Sequence, residues 1–107
     1  MMFSLVETDL FSKLVDGYLT DEEYRQVQLE LIRNPEAGVV IRGSGGVRKL
    51  RWQARGRGKR GGCRIIYFVR HSEKTFWMLT IYPKNIRDTI PGHLLKKIRQ
   101  EIENEHK

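Results

Sequence analysis

With one cysteine, Cys63, the chain can form no internal disulfide and no cysteine-based metal site. No apolar run approaches the roughly 18 residues of a membrane span, and no basic amphipathic helix suited to a membrane surface stands out. The opening Met1-Met2-Phe3-Ser4-Leu5-Val6-Glu7 lacks a basic n-region and is too short for a signal peptide. His71 falls in an expected turn and His93 at an expected helix start, and neither has metal-ligand spacing. These absences lead us to expect a cytoplasmic chain with no metal, no cofactor and no membrane contact. The most telling absence is of negative charge: between Arg42 and Arg70 there is no aspartate or glutamate.

That acid-free stretch holds Arg42, Arg48, Lys49, Arg51, Arg55, Arg57, Lys59, Arg60, Arg64 and Arg70, half of the chain's 20 basic residues. It raises the net charge to +7 and the isoelectric point to about 9.9. Such a balance calls for an acidic partner. Lysine and arginine placed on backbone phosphates release condensed counterions, so a polyphosphate is the natural one. The stretch is not a plain basic tail. Val47, Leu50 and Trp52 precede its glycine-rich part and Ile65 to Val69 follow it, so the charges are mounted on strands. At 107 residues the chain makes one domain, spanning residues 1–107, with a single core.

Phe3 to Glu7 reads as a short strand. Thr8 or Asp9 can cap a first helix whose apolar stripe is Leu10, Phe11, Leu14, Val15 and Tyr18, and Gly17 roughens its end. Thr20-Asp21-Glu22-Glu23 is a capping box. It opens a second helix with Tyr24, Val27 and Leu31 on one face, closed by Asn34-Pro35. From Val39 the period becomes two. Val39 to Arg42 is a strand and Gly43 to Gly46 a loop. Val47 to Trp52 is a strand with Lys49 and Arg51 on one face and Leu50 and Trp52 on the other. Arg55 to Gly62 is a glycine-rich loop, and Cys63 to Val69, apolar on both faces, is a central strand. His71 to Lys74 is a hairpin turn. Thr75 to Tyr82 alternates Phe76, Met78 and Tyr82 on one face with Trp77, Leu79 and Ile81 on the other, and Pro83 stops it. A last helix follows Pro91-Gly92, with Leu94 or Leu95, Ile98 and Ile102 as its stripe. Glu101, Glu103 and Glu105 near its C-terminus oppose the macrodipole and predict fraying. The order β-α-α-β-β-β-β-α is an α+β fold: a mostly antiparallel sheet, two N-terminal helices packed on one face, and a C-terminal helix. The other face is then free to present Lys49, Arg51 and Arg64.

A basic sheet face binds RNA or DNA; cleaving RNA asks for more. The 2′-hydroxyl must lose a proton and attack phosphorus, the growing negative charge must be stabilised, and the leaving 5′-oxygen must gain a proton. Lys49, Arg51, Arg64, Tyr82 and Lys84 supply this inventory without a metal. Residue types alone are weak here, since many ribosomal proteins carry them and cleave nothing. Tyr67, Trp77 and Cys63 suit the core. Trp52 suits the core too, but beside the basic loop it can stack on a base.

Arg48-Lys49-Leu50-Arg51, a basic glycine loop, Gly62-Cys63-Arg64-Ile65-Ile66-Tyr67 and Leu79-Thr80-Ile81-Tyr82-Pro83-Lys84-Asn85, in this order of elements, resemble the RelE/HigB superfamily of toxins, and the HigB-like branch most. The resemblance covers nearly the whole chain. It implies a RelE-like fold and the toxin of a type II toxin-antitoxin system: a metal-independent, ribosome-dependent mRNA endonuclease. Such toxins cut mRNA in the A site of the 70S ribosome and leave a 2′,3′-cyclic phosphate. By resemblance, Lys49 and Arg51 stand beside the scissile phosphate, Arg64 is the phosphate-stabilising arginine, and Lys84 matches a lysine after the final strand. Some RelE members carry a further arginine and a tyrosine in the C-terminal segment. Here Asn85 to Ile90 has no tyrosine, so either Tyr82 serves instead, or Lys49 and Lys84 transfer the protons, or cleavage works differently. Arg48, Trp52, Arg55, Arg57, Lys59, Arg60, Asn85 and Arg87 would contact mRNA and 16S rRNA. The implied partner is a cognate antitoxin, of the helix-turn-helix HigA type, with DNA contacted only through it. Two other readings keep the fold: a non-cleaving RNA-binding module, and a ParE-like gyrase poison, whose branch generally lacks the basic set.

Overall fold

The computed structural model describes residues 3–53, 62–84 and 91–105. Strand β1 (Ser4–Glu7) leads into helix α1 (Asp9–Leu14), whose cap Thr8 accepts from the Phe11 amide and donates to the Leu79 carbonyl. A 3-10 turn over Val15–Gly17 replaces the helix where Gly17 weakens it. Helix α2 (Asp21–Arg33) opens on the complete capping box and ends at Asn34, as expected from Pro35. Strands β2 (Val39–Val40), β3 (Arg48–Trp52), β4 (Cys63–Arg70) and β5 (Thr75–Pro83) follow, and helix α3 (Gly92–Glu105) closes the chain. The sheet order is β1-β5-β4-β3-β2. Among the described strands, only β1, parallel to β5, departs from antiparallel pairing. The α+β architecture read from the sequence is the one observed.

Each face of the sheet carries a buried apolar layer. On the first, Phe11, Val15 and Leu19 join Val27 and Leu31 of α2 over Leu50, Cys63, Ile65, Tyr67, Phe76, Met78 and Ile81. On the second, Leu95 of α3, with Ile98 and Ile102, covers Val47, Ile66, Phe68, Trp77 and Leu79. The last helix takes Leu95 into its core stripe and leaves Leu94 exposed, and α1 leaves Leu10 exposed.

Strand β5 corrects the sequence reading. Tyr67 pairs with Met78 but Ile66 pairs with Thr80, so Leu79 is an extra residue opposite this step. A bulge of this kind shifts the alternation by one. Phe76 and Met78 therefore share the helix-side face with Ile81, whereas Tyr82 packs with Trp77 and Leu79 on the α3 side. The expected grouping of Tyr82 with Met78 and of Ile81 with Leu79 is reversed. The acidic C-terminus departs as well. Helix α3 continues through Glu105, and Glu103 is held by Arg99 at 3.3 Å and by Arg70 at 4.0 Å.

The Tyr67 hydroxyl joins the sheet to the loop after α2. It donates to the Pro35 carbonyl and accepts from the Gly38 amide, each at 2.9 Å. A Cβ on Gly38 would lie 2.8 Å from the Tyr67 ring, so glycine is needed for this approach. Tyr67→Phe should lower stability by about 1–3 kcal/mol, because two polar backbone groups lose their partner. Urea denaturation measures it, and an unchanged midpoint would show that water replaces the hydroxyl.

Several core groups keep their protons unusually well. Burial pushes the Cys63 thiol up from 9.0 to about 11, offset in part by Arg64 and aided by Glu23. Burial also raises Tyr24, with a hydrogen bond to Glu7 adding to it, and raises Tyr67. For a raised acid the unfolded chain ionises first, so stability is complete below the unfolded value and falls as pH climbs to the folded one. Melting temperature should hold up to about pH 9 and decline between pH 9 and 11, where the thiol titrates. In Cys63→Ala that decline should begin later, nearer the tyrosine range.

Candidate nucleic-acid interface

The second face of the sheet is only half covered by α3. Beyond it, Arg51 of β3, Arg64 of β4 and Tyr82 of β5 stand abreast, since Arg51 pairs with Arg64 and Arg64 with Tyr82. Directly opposed residues hold their Cβ atoms about 4.5–5.5 Å apart, and like charges so placed are unfavourable. Lys49 lies one step along the same face, opposite Ile66. The bulge in β5 turns Tyr82 into this row. In unbroken register its ring would enter the helix-side core.

Arg51, Trp52, Gln53, Arg64 and Lys84 line an open cleft of about 280 Å³. Gly62 organises its floor. It adopts φ +82°, and a Cβ there would lie 2.0 Å from the Trp52 carbonyl oxygen. Its own carbonyl accepts from the Lys84 amide at 3.3 Å. One glycine thus brings the ends of β3 and β5 to the start of β4, placing Lys84 beside the two arginines.

Four of the described basic residues are ion-paired; the others, which include Lys13, Arg25, Arg42, Lys74, Lys96 and Lys97 outside the cleft lining, have no ion pair among the described residues. Arg33, Arg48, Arg70 and Arg99 are ion-paired with Glu30, Glu36, Glu73 and Glu103. Among the described residues, Lys49, Arg51, Arg64 and Lys84 have no carboxylate partner, and Arg64 reaches only the Cys63 carbonyl. Tyr82 is half-buried as a residue, but its hydroxyl oxygen is itself buried and has no hydrogen-bond partner among the described residues. Burial raises its pKa and the charge of Arg64 lowers it in part. The phenol is therefore a neutral donor at neutral pH and unsuited to act as a base.

Of the residues singled out in the sequence, the cleft unites Arg51, Arg64, Lys84 and Trp52. Lys49 and Tyr82 flank it. Arg48 is a correction: it points to the opposite face, where its guanidinium holds the Glu36 carboxylate and the Gly38 carbonyl at the loop after α2. Alternation along β3 sets this, because Arg48 and Lys49 are neighbours. Arg55, Arg57, Lys59, Arg60, Asn85 and Arg87 lie outside the described residues. Gln53 and Gly62 were not anticipated as site residues. The glycine-before-strand position was the available signal for Gly62, and none marked Gln53. Among the described residues, no helix is long and apolar enough to cross a membrane.

No protein-family model matches the chain. Solved structures of RelE toxins do match it in fold. The isolated E. coli RelE toxin superposes with TM-score 0.56 at 16% identity, covering 94% of this chain and 99% of that one. The intact E. coli RelBE toxin-antitoxin complex gives 0.57 at 16%, covering 79% and 100%. The archaeal RelE-RelB complex from Pyrococcus horikoshii OT3 gives 0.53 at 22%, covering 82% and 100%. The chain has a RelE-like fold. At these identities the likeness is one of fold, and the chemistry rests on the residues just described.

The Arg51–Arg64 opposition has a thermodynamic consequence. Arg51→Thr should raise stability by about 0.2–1 kcal/mol, since a β-branched residue replaces a like-charge neighbour. The gain should shrink in 1 M salt, where the Debye length is about 3 Å. Urea midpoints at low and high salt test this, and destabilisation by Arg51→Thr would mean that the arginine has a stabilising partner.

Proposed function

We propose that this chain is the toxin of a type II toxin-antitoxin system and acts as a ribosome-dependent mRNA endonuclease in the cytoplasm. The observation that carries the reading is the cluster of Arg51, Arg64 and Lys84, with no carboxylate partner among the described residues, mounted on strands of a RelE-like fold. What sets these charges apart is their placement: Arg51 and Arg64 are directly opposed on neighbouring strands and share one cleft with Lys84.

In the proposed reaction the RNA 2′-oxygen loses its proton and bonds to the adjacent phosphorus. The bond to the 5′-oxygen breaks, and that oxygen leaves as a hydroxyl. The products are a 2′,3′-cyclic phosphate and a free 5′-OH, with no redox change and no metal required. Arg64, central in the row, and Arg51 neutralise the oxygens of the phosphorane. Tyr82, held neutral, donates to a phosphoryl or departing oxygen once RNA binding uncovers its hydroxyl. Base duty falls to a lysine: Lys84 lies in the cleft and Lys49 at its edge. The partners are mRNA and 16S rRNA in the A site of the 70S ribosome, and a cognate antitoxin. RelE neighbours with RelB bound support an antitoxin, and the HigB-like motifs favour one of the helix-turn-helix HigA type.

The test is cleavage on programmed ribosomes, with mRNA 5′ ends mapped for the wild type and for Arg64→Ala. Cuts within A-site codons should appear with the wild type and fall by at least about 100-fold in the variant, as on loss of a charge-stabilising donor. Intact mRNA with folded wild-type protein would refute the enzyme reading. DNA breaks on induction, in place of translation arrest, would identify a gyrase poison.

A further inference from the structure

Trp52 lines two hollows. One is the basic cleft. The other, about 550 Å³, lies between the end of β3 and one stripe of α2, and is lined by Trp52, Gln26, Leu29, Glu30 and Arg33. This volume is within the usual range of small-ligand sites. The four α2 residues sit at helical spacing on a stripe apart from the core residues Val27 and Leu31. Neither Leu29, half exposed in mid-helix, nor the half-buried Trp52 is accounted for by the core alone.

The two hollows differ in charge. The cleft has cations and, among the described residues, no acid, which suits a phosphate. The second hollow carries the Glu30–Arg33 ion pair and a neutral amide. A carboxylate there disfavours a phosphate but suits a nucleobase edge, for which carboxylate, amide and guanidinium are the usual readers. An indole wall gives the base a stacking surface. We propose that this hollow is a nucleobase pocket. The nucleotide adjoining the cleaved phosphate stacks on Trp52 and offers its edge to Gln26, Glu30 and Arg33, so that the pocket sets base preference at that position. The inference rests on the endonuclease reading and names its specificity device.

The probe is a set of ribosome-bound mRNAs differing in the single base beside the cut. Wild type should cleave them at unequal rates. Trp52→Ala should flatten that preference and slow the favoured mRNA about tenfold, in line with loss of one base stack, whereas Trp52→Phe should keep both. Arg33→Ala should change which base is preferred with Trp52 intact. In a Trp77→Phe background, single-stranded oligoribonucleotide should quench Trp52 fluorescence, and an abasic strand of equal charge should bind without quenching. Unchanged base preference in Trp52→Ala, or equal quenching by the abasic strand, would overturn the pocket and leave the endonuclease standing. Absence of cleavage by the wild type would overturn both. If Trp52→Ala weakens only the capture of an antitoxin, the hollow is a protein groove and the proposal falls.

Discussion

The extra residue in β5 opposite Ile66 and Tyr67 sets the arrangement of both faces. A strand in constant register commits every second residue to one side. Had β5 remained in phase beyond Met78, Tyr82 would press into the layer beneath α1 and α2, and Ile81 would face the open basic end. The bulge costs one unpaired residue and a local increase in twist. In return Ile81 completes the helix-side core while Tyr82 turns to the α3 side next to Arg64. Strand β5 thus serves an apolar layer along its first half and a polar row at its end. Its neighbour β4, the central strand, needs no such break, because Cys63, Ile65 and Tyr67 face the helices while Arg64 alternates outward.

The second face is divided by charge. At the α3 end, the guanidinium of Arg99 stacks 5.2 Å from the centre of the Phe68 ring and is neutralised by Glu103, which also reaches Arg70. At the other end, Arg51 and Arg64 face each other across a strand pair, with no acid between them among the described residues. Such an opposition costs from a few tenths to about 1 kcal/mol. A domain whose whole stability is about 5–15 kcal/mol can hold it, and binding of a phosphate removes the repulsion. Two arginines directly opposed on neighbouring strands are a local departure from charge pairing of the kind that a site for an anion would require.

Periodicity and punctuation made most of the fold legible. Thr20 and Glu23 announced the start of α2, Pro35 its end, and the two-sided apolar run from Cys63 to Val69 the central strand. Because strand alternation is strict, sequence alone assigns Lys49, Arg51 and Arg64 to one face. What stayed hidden depends on pairing between distant segments. No local pattern reveals that Leu79 is unpaired, so the face of Tyr82 was read the wrong way round. Arg48 looked like one more member of a basic run, yet its role depends on Glu36 and Gly38 arriving from the loop after α2. Glu103 looked unfavourable at a helix end until Arg70 was brought across from β4.

The contrast between the two hollows also bears on which nucleic acid can use the site. In an A-form duplex the bases are stacked and paired, with the major groove too narrow for side chains to read. A phosphate in the cleft could then be reached, but no base could turn onto Trp52. Occupying both hollows at once, as proposed here, requires a strand whose nucleotide is unstacked and splayed outward, with its 2′-hydroxyl free to align with the adjacent phosphorus. Free mRNA adopts that geometry only in passing. A site with few preformed contacts and much surrounding positive charge gains from a large anionic host that presents the strand already extended. Under the proposed reading, dependence on the ribosome would follow from the same geometric need.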